Sequence, residues 1–444
     1  MLRCDEVSAL EEADIGVPSP NCLVNVISNE ESNGKPLPQL GFKTVFDMVM
    51  GYGDRMKDME PFWEGYRSHF ASLGINLCSM RKGGVWAVPQ WEAAASAQHP
   101  FASCCTHDAL DGPALYDLSS RTLPRRMVYA QDTRRRDLVI KLTDKGSMEY
   151  KIYRHLAESN SLYDSRDAPG VLPPTAVLDS PYQFAFVVMP MWGIKVRPQE
   201  FETLREVMTF IRHTLSGLSY LHRHRIAHRD IDKTNMMVNR YCARFETEAC
   251  AERLREHCRS PFVAYALFDF DLSIQLPPET PLDSCRRPAE EALQGQQLLQ
   301  PPDIYQGERH YNPFAFDVAC LGRLYLAWFK DCIPVVPLLA PMLGKMTTHI
   351  FEERWTAEDA LAFFNEILAG LSPAALDSSV VCQYDYDTLD NPDIYWNQLT
   401  PELQLKWKAY RPSPRSWTRR VLRWLISTDV GCAIVPRVRL WLRI

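Results

Sequence analysis

No stretch of this 444-residue chain stays apolar for the roughly 20 residues that a membrane-spanning helix needs. Its first residues, MLRCDEVSALEEADIGV, are polar and acidic and lack an apolar core run, so they do not read as a signal peptide. The 13 Cys include one adjacent pair, Cys104–Cys105, but no C-x-x-C. That argues against a zinc knuckle and, without a secretory signal, for reduced thiols in the cytoplasm or nucleus. Gly (20) is scarcer than Pro (32), which predicts numerous stiff loops. No internal repeat or long low-complexity tract is present. A net charge of −6 is too small to call for nucleic acid, and none is expected as a partner.

Charge is nevertheless uneven. Residues 401–444 hold two Lys and eight Arg against Glu402 and Asp429, leaving an acidic body with a basic, Trp-bearing tail. Such a tail can dock on the body or on an anionic partner. Residues 1–40, with turn clusters at PSPN and SNGKPLP, read as a mobile leader. Residues 41–124 carry aromatic and apolar groups (PFWEGYRSHF, VWAVPQW) and read as a folded extension packing on the main domain.

From about residue 125 the pattern becomes regular. MVYAQD, DLVIKL and QFAFVVM read as strands, and Met148, Ile152, His155 and Leu156 fall on one side of a helix between the second and third. Leu204, Val207, Met208, Ile211, Leu215, Leu218 and Leu221 step by three or four, the mark of an amphipathic helix. DVACLGRLYLAWF and TAEDALAFFNEILAGL are further helices, the latter with Thr356 and Asp359 at capping-box spacing. A mixed segment (125–192) followed by a helical one (193–372) predicts an α+β architecture, with 373–444 as a basic tail.

The strongest chemical signal is YLHRHRIAHRDIDKTNMMVN, residues 220–239, where His228-Arg229-Asp230 is followed by Asn235. Phosphoryl transfer to a hydroxyl needs a carboxylate to orient the acceptor and a nearby amide oxygen to hold a metal ion. Asp230 and Asn235 are the candidates, and a tight loop brings positions five apart together. Asp269-Phe270-Asp271 ends a second apolar strand; Asp269 suits a further metal position at the ATP phosphates. On DLVIKL, Val139 and Lys141 share a face. Glu149, opening the next helix, can pair with Lys141 and hold it against phosphate.

Together these motifs resemble the protein-kinase family over about residues 125–372. The resemblance implies a two-lobed fold, Mg2+ and ATP as cofactors, and a protein substrate. It also implies that Arg229 belongs to the catalytic loop, that Asp317 in FDVACLG braces that loop, and that Arg354 pairs with Asp303 of PPD. Met189-Pro190-Met191 would be the hinge, with Met189 and Met191 holding adenine through backbone groups. PFWEGYRSHFASLG, DFDLSIQLPP and YNPFAFDVACLG are similar, more narrowly, to a kinase-like family of mushroom-forming basidiomycete fungi, which implies a fungal intracellular protein.

Departures from the pattern matter. No Gly lies between residues 118 and 137, so no Gly-rich flap precedes Lys141. Arg125, Arg126 or the Arg134–Arg136 run can supply positive charge instead, although that run reads first as a hairpin turn. Asp271 stands where D-F-G has Gly, at a position where positive φ is a concern. Asp232 occupies the usual lysine position and Lys233 comes one later, so Lys233 is expected to point elsewhere. Residues 240–262 read as a helical insertion whose Cys242, Cys250 and Cys258 are too far apart to share a metal. His99, Cys104, Cys105 and His107 lack a second half-site for zinc. Thr280 and Ser284 lie where a phosphate would face Arg229. Trp417, Val421, Trp424 and Leu425 read as a helix face that packs across the body, or else on an anionic membrane surface through 417–444. The leading expectation is a phosphotransferase acting on a protein hydroxyl, Ser or Thr favoured. A pseudokinase scaffold and a small-molecule kinase are the alternatives.

Overall fold

The computed structural model describes residues 23–26, 37–40, 56–81, 85–87, 98–104, 115–116, 126–164, 168–193, 196–241, 252, 255–295, 298–305 and 308–413. It also describes residues 421, 424, 425, 434, 435, 437, 438 and 441. Six strands make one sheet. They are β1 (Leu23–Val26), β2 (Ile75–Leu77), β3 (Met127–Asp132), β4 (Asp137–Asp144), β5 (Ala176–Asp179) and β6 (Phe184–Pro190). Their spatial order is β1-β5-β6-β4-β3-β2, antiparallel except for the β1–β5 pair. The turn between β3 and β4 is built by Asp132, whose Oδ1 accepts the amides of Arg134 and Arg136 at 2.9 Å each. Arg134–Arg136 is thus a hairpin turn.

Side-chain alternation decides the layering. Leu138, Ile140 and Leu142 of β4 point to one face with Leu178, Phe184, Phe186 and Val188. Helix α1 (Met56–Ser72) covers that face with Phe62, Trp63, Tyr66 and Phe70. Phe186 sits at the centre, 4.8 Å from the Tyr66 ring and 5.1 Å from Phe70, edge to face. On the other face Val177, Val187 and Met189 meet Ile152, Tyr153 and Leu156 of α2 (Met148–Ala157). Lys141 shares the parity of Val187's partner position and bonds Glu149 of α2, so it lies on this second face. A sheet buried on both sides explains why β6 is apolar at every position rather than alternating.

The helix-rich part follows as α3 (Leu204–Arg223), α4 (Pro313–Phe329), α5 (Leu339–Thr347) and α6 (Ala357–Ala369). α3 opens on a capping box between Thr203 and Glu206, and α6 on one between Thr356 and Asp359, as the spacing predicts. β7 (Met236–Val238) and β8 (Tyr265–Leu267) pair antiparallel beneath α3. The architecture is α+β. Among the described residues no helix is long and apolar enough to cross a membrane.

Three boundaries differ from expectation. The leader 1–40 is built in where it is described: β1 satisfies the open edge of β5, and Leu37 and Pro38 accept the Tyr182 and Tyr66 hydroxyls at 2.6 and 2.9 Å. The extension 41–124 contributes β2 and the α1 layer to the same sheet, so the sheet does not begin at 125. Residues 373–411 belong to the helical core rather than a tail. Leu204 donates its amide to Ser378 O, Arg323 donates to Leu389 O (both 3.0 Å), and Tyr395 and Trp396 are buried. Beyond them Trp424 and Trp441 are exposed. Within 240–262, Arg240–Tyr241 runs parallel to Ser103–Cys104, and 255–258 is helical; Cys242 and Cys250 lie outside the described residues.

If α1 is an integral layer, truncating its central ring contact must cost core energy. Phe186→Ala is expected to lower stability by about 3–5 kcal/mol, while Leu405→Ala at an exposed site changes it by under about 0.5 kcal/mol. Chemical denaturation of both variants checks this, and equal effects would show that α1 does not depend on the sheet.

Candidate functional site

Asp317, on α4 and fully buried, organises the 228–235 loop. Its Oδ2 accepts the His228 amide and its Oδ1 the Arg229 amide, both at 2.7 Å. His222 Nε2 approaches Oδ2 at 3.2 Å from the end of α3. Arg229 needs that hold, because its φ of 67° lies in the left-handed region that L side chains rarely adopt. His228 ties the two motif loops together: its Nε2 donates to Phe268 O at 3.0 Å, and its Nδ1 accepts the Asp230 amide at 3.3 Å. Asn235 Nδ2 donates to Asp230 O at 2.9 Å and to Asp230 Oδ2 at 2.7 Å. The Asn235 oxygen Oδ1 is the atom these bonds leave for another ligand.

Asp269 follows the β8 strand and has φ 67°. Behind it Phe270 is buried between the rings of Tyr153 (5.3 Å) and His228 (5.6 Å). The positive φ falls on Asp269 and not on Asp271, so an Asp at 271 brings no backbone strain. Lys141, itself 1% exposed, bonds Glu149, Asp269 at 2.7 Å and Asp271 at 3.2 Å. Arg126 forks onto the Asp271 carboxylate and stands 3.8 Å from Glu149. Two cations and three carboxylates therefore share one largely buried cluster. Burial pushes the Asp269 carboxyl up, but the Lys141 charge and hydrogen bond, with Arg126 and His228, bring it below its usual value.

Other expected residues are placed as follows. Arg354 donates to Asp303 at 2.8 Å and to Thr348 O and Ala315 O. Met189 and Met191 have buried side chains, and the Met191 amide is already bonded to Asp137 O at 3.0 Å. Lys233 turns away, its ammonium 4.7 Å over the Tyr384 ring. Arg229 donates to Glu291 O at 2.7 Å and lies 3.6 Å from the Glu291 carboxylate. His99 bonds Leu162 O at 2.8 Å, while Cys105, His107 and Arg125 lie outside the described residues.

Sequence reasoning missed Glu291, Tyr384 and Gly295. A Cβ on Gly295 would stand 2.7 Å from Asp230 Oδ1 and 3.0 Å from Arg229 O, so a glycine lets the chain pass beside Asp230. No local pattern marks any of the three, because each matters only through a partner more than 60 residues away. Compared with protein-family models and with curated proteins, the chain matches none.

Asp317→Asn keeps the shape but turns one acceptor into a donor facing an amide. It is expected to cost about 1–3 kcal/mol and to speed hydrogen exchange at the His228 and Arg229 amides. Unchanged exchange there would remove Asp317 from its bracing place. The depressed Asp269 carboxyl stabilises the fold fully above the unfolded-chain value, about 3.9, and that contribution disappears as pH falls through the lower folded value. Wild-type stability should thus fall more steeply below about pH 4 than that of Asp269→Asn, measured by acid titration of denaturation midpoints.

Proposed function

We propose that this chain is an ATP- and magnesium-dependent phosphotransferase of the protein-kinase type, acting on a protein hydroxyl, with Ser or Thr preferred. The observation that carries the reading is the joint bonding of Lys141 to Glu149 and Asp269 beside a loop in which Asn235 holds Asp230. In this reading the β1–β6 sheet with α2 is the smaller lobe, helices α3–α6 form the larger one, and the chain works in the cytoplasm or nucleus of a fungus.

The residues fit such a nucleotide and metal. Asn235 Oδ1 and the Asp269 carboxylate are hard oxygen donors suited to magnesium. Lys141 is a buried cation positioned by Glu149, the arrangement that holds α- and β-phosphates. Mg-ATP, when bound, supplies the transferable phosphoryl group and neutralises its developing charge. Asp230 accepts and orients the acceptor hydroxyl, its carboxylate fixed through Oδ2 by Asn235 and its backbone by His228. Arg229 and Asp317 set the loop geometry, and Arg354, bonded to both Asp303 and Ala315 O, ties the 269–303 segment to α4.

The scaffold alternative rests on one observation of its own. Lys141 and Arg126 are already bonded by Asp271, and Lys233, the remaining loop cation, faces Tyr384. Calorimetry with ATP, with and without magnesium, separates the readings when run on wild type, Lys141→Ala and Asp269→Ala. Binding that needs magnesium and weakens in both folded variants supports the phosphotransferase; no binding at millimolar ATP supports the scaffold. If the enzyme reading holds, Asp230→Asn lowers phosphorylation turnover about 10²–10⁴-fold, and an unaffected rate would sink it.

A further inference from the structure

β2 and its antiparallel neighbour β3, with Leu77 opposite Ala130, are separated in sequence by residues 78–126. That separation is 49 residues, far more than a hairpin turn needs, and Arg126 is the last of them. The Arg126 carbonyl accepts the Leu142 amide at 2.8 Å, one residue from Lys141. From there its guanidinium, 11% exposed, reaches Asp271 through both terminal nitrogens, with Nη1 at 2.8 Å from Oδ1. Its Nε is buried and has no hydrogen-bond partner among the described residues. A buried donor left unmatched is a cost that another acceptor would relieve.

The cluster is also unequal in how firmly it holds its carboxylates. Glu149 is 6% exposed, Asp269 25% and Asp271 33%, and the Lys141–Asp271 contact is the longest of the three at 3.2 Å. Asp271 is therefore the carboxylate that water can best solvate once Arg126 leaves it. A guanidinium that forks onto a carboxylate presents the same planar pair of donors that fits phosphate.

We propose that Arg126 is the phosphate-gripping residue of the nucleotide site and that Asp271 holds its place when no polyphosphate is bound. This rests on the phosphotransferase reading above and adds how the site manages without a Gly-rich flap. On binding, the Arg126 fork leaves Asp271 for phosphate oxygens. Asp271, whose ligand atom lies within 4.8 Å of those of Glu149 and Asp269, keeps Lys141 as its counter-charge when Arg126 leaves.

The test combines affinity with a double-mutant cycle on the full chain, using Arg126→Ala, Asp271→Gly and the double variant, each checked for folding by circular dichroism. Mg-ATP affinity, by calorimetry, should fall about 10–100-fold in Arg126→Ala, the loss expected for one bidentate charge-assisted contact. Arg126→Lys, which keeps the charge without the fork, should fall between, and Asp271→Gly should bind at least as tightly as wild type. Thermal midpoints provide a readout free of activity. The Arg126 and Asp271 effects should be non-additive without nucleotide and additive at saturating Mg-ATP. Wild-type affinity in Arg126→Ala, or non-additivity that persists with nucleotide, would overturn this proposal alone and leave a purely structural ion pair. Absence of Mg-ATP binding by wild type would overturn the phosphotransferase reading and this inference with it.

Discussion

A lysine ammonium buried to 1% exposure has to be matched by carboxylates, and the arrangement around Lys141 follows from that constraint. Glu149 comes from α2, Asp269 and Asp271 from the turn after β8, and the lysine itself from β4. One charge thereby ties together the sheet, the helix behind it and the first strands of the helix-rich part. Breaking any of these ties leaves an unpaired charge indoors, which is far costlier than losing a surface pair. The extra carboxylate, Asp271, is what recruits Arg126.

Asp317 plays the corresponding part from below. A carboxylate with no exposure accepts two successive amides and so fixes Arg229 in a left-handed conformation that would otherwise relax. His228 then links this loop to Phe268, so the positions of Asp230 and Asp269 are set by one hydrogen-bonded frame. Both residues with chemistry assigned to them stand on backbone that is held by buried partners. Such pre-organisation is what a site acting through geometry and charge requires.

The outer layer explains the N-terminal segment that has no motif of its own. α1 lays four aromatic rings over β4 and β6, so both faces of the sheet are dry. That covering is why β6 reads as a continuous apolar run. Residues 373–411 cover the helix-rich part in the same way: Leu204 of α3 donates its amide to Ser378 O, Asp385 donates its amide to Ala327 O of α4, and Tyr395 and Trp396 are buried.

Local chemistry alone determined much of this protein. Helix periodicity and capping residues marked α3 and α6, alternation marked β3 and β4, and the spacing of Lys141, Glu149, Asp230, Asn235 and Asp269 marked the site. Each of those signals lies within a few residues, or in side chains whose type betrays their task. Tertiary structure decided the rest: that residues 23–26 and 75–77 join the sheet, that the Met191 amide is taken by Asp137, and that Lys233 lies over Tyr384. It also decided that Arg126 meets Asp271 across 145 residues of sequence and that Gly295 passes beside Asp230. The physical reason is that strand edges, backbone donors and flexible cations accept many partners equally well, and only the packed chain selects which one is within reach.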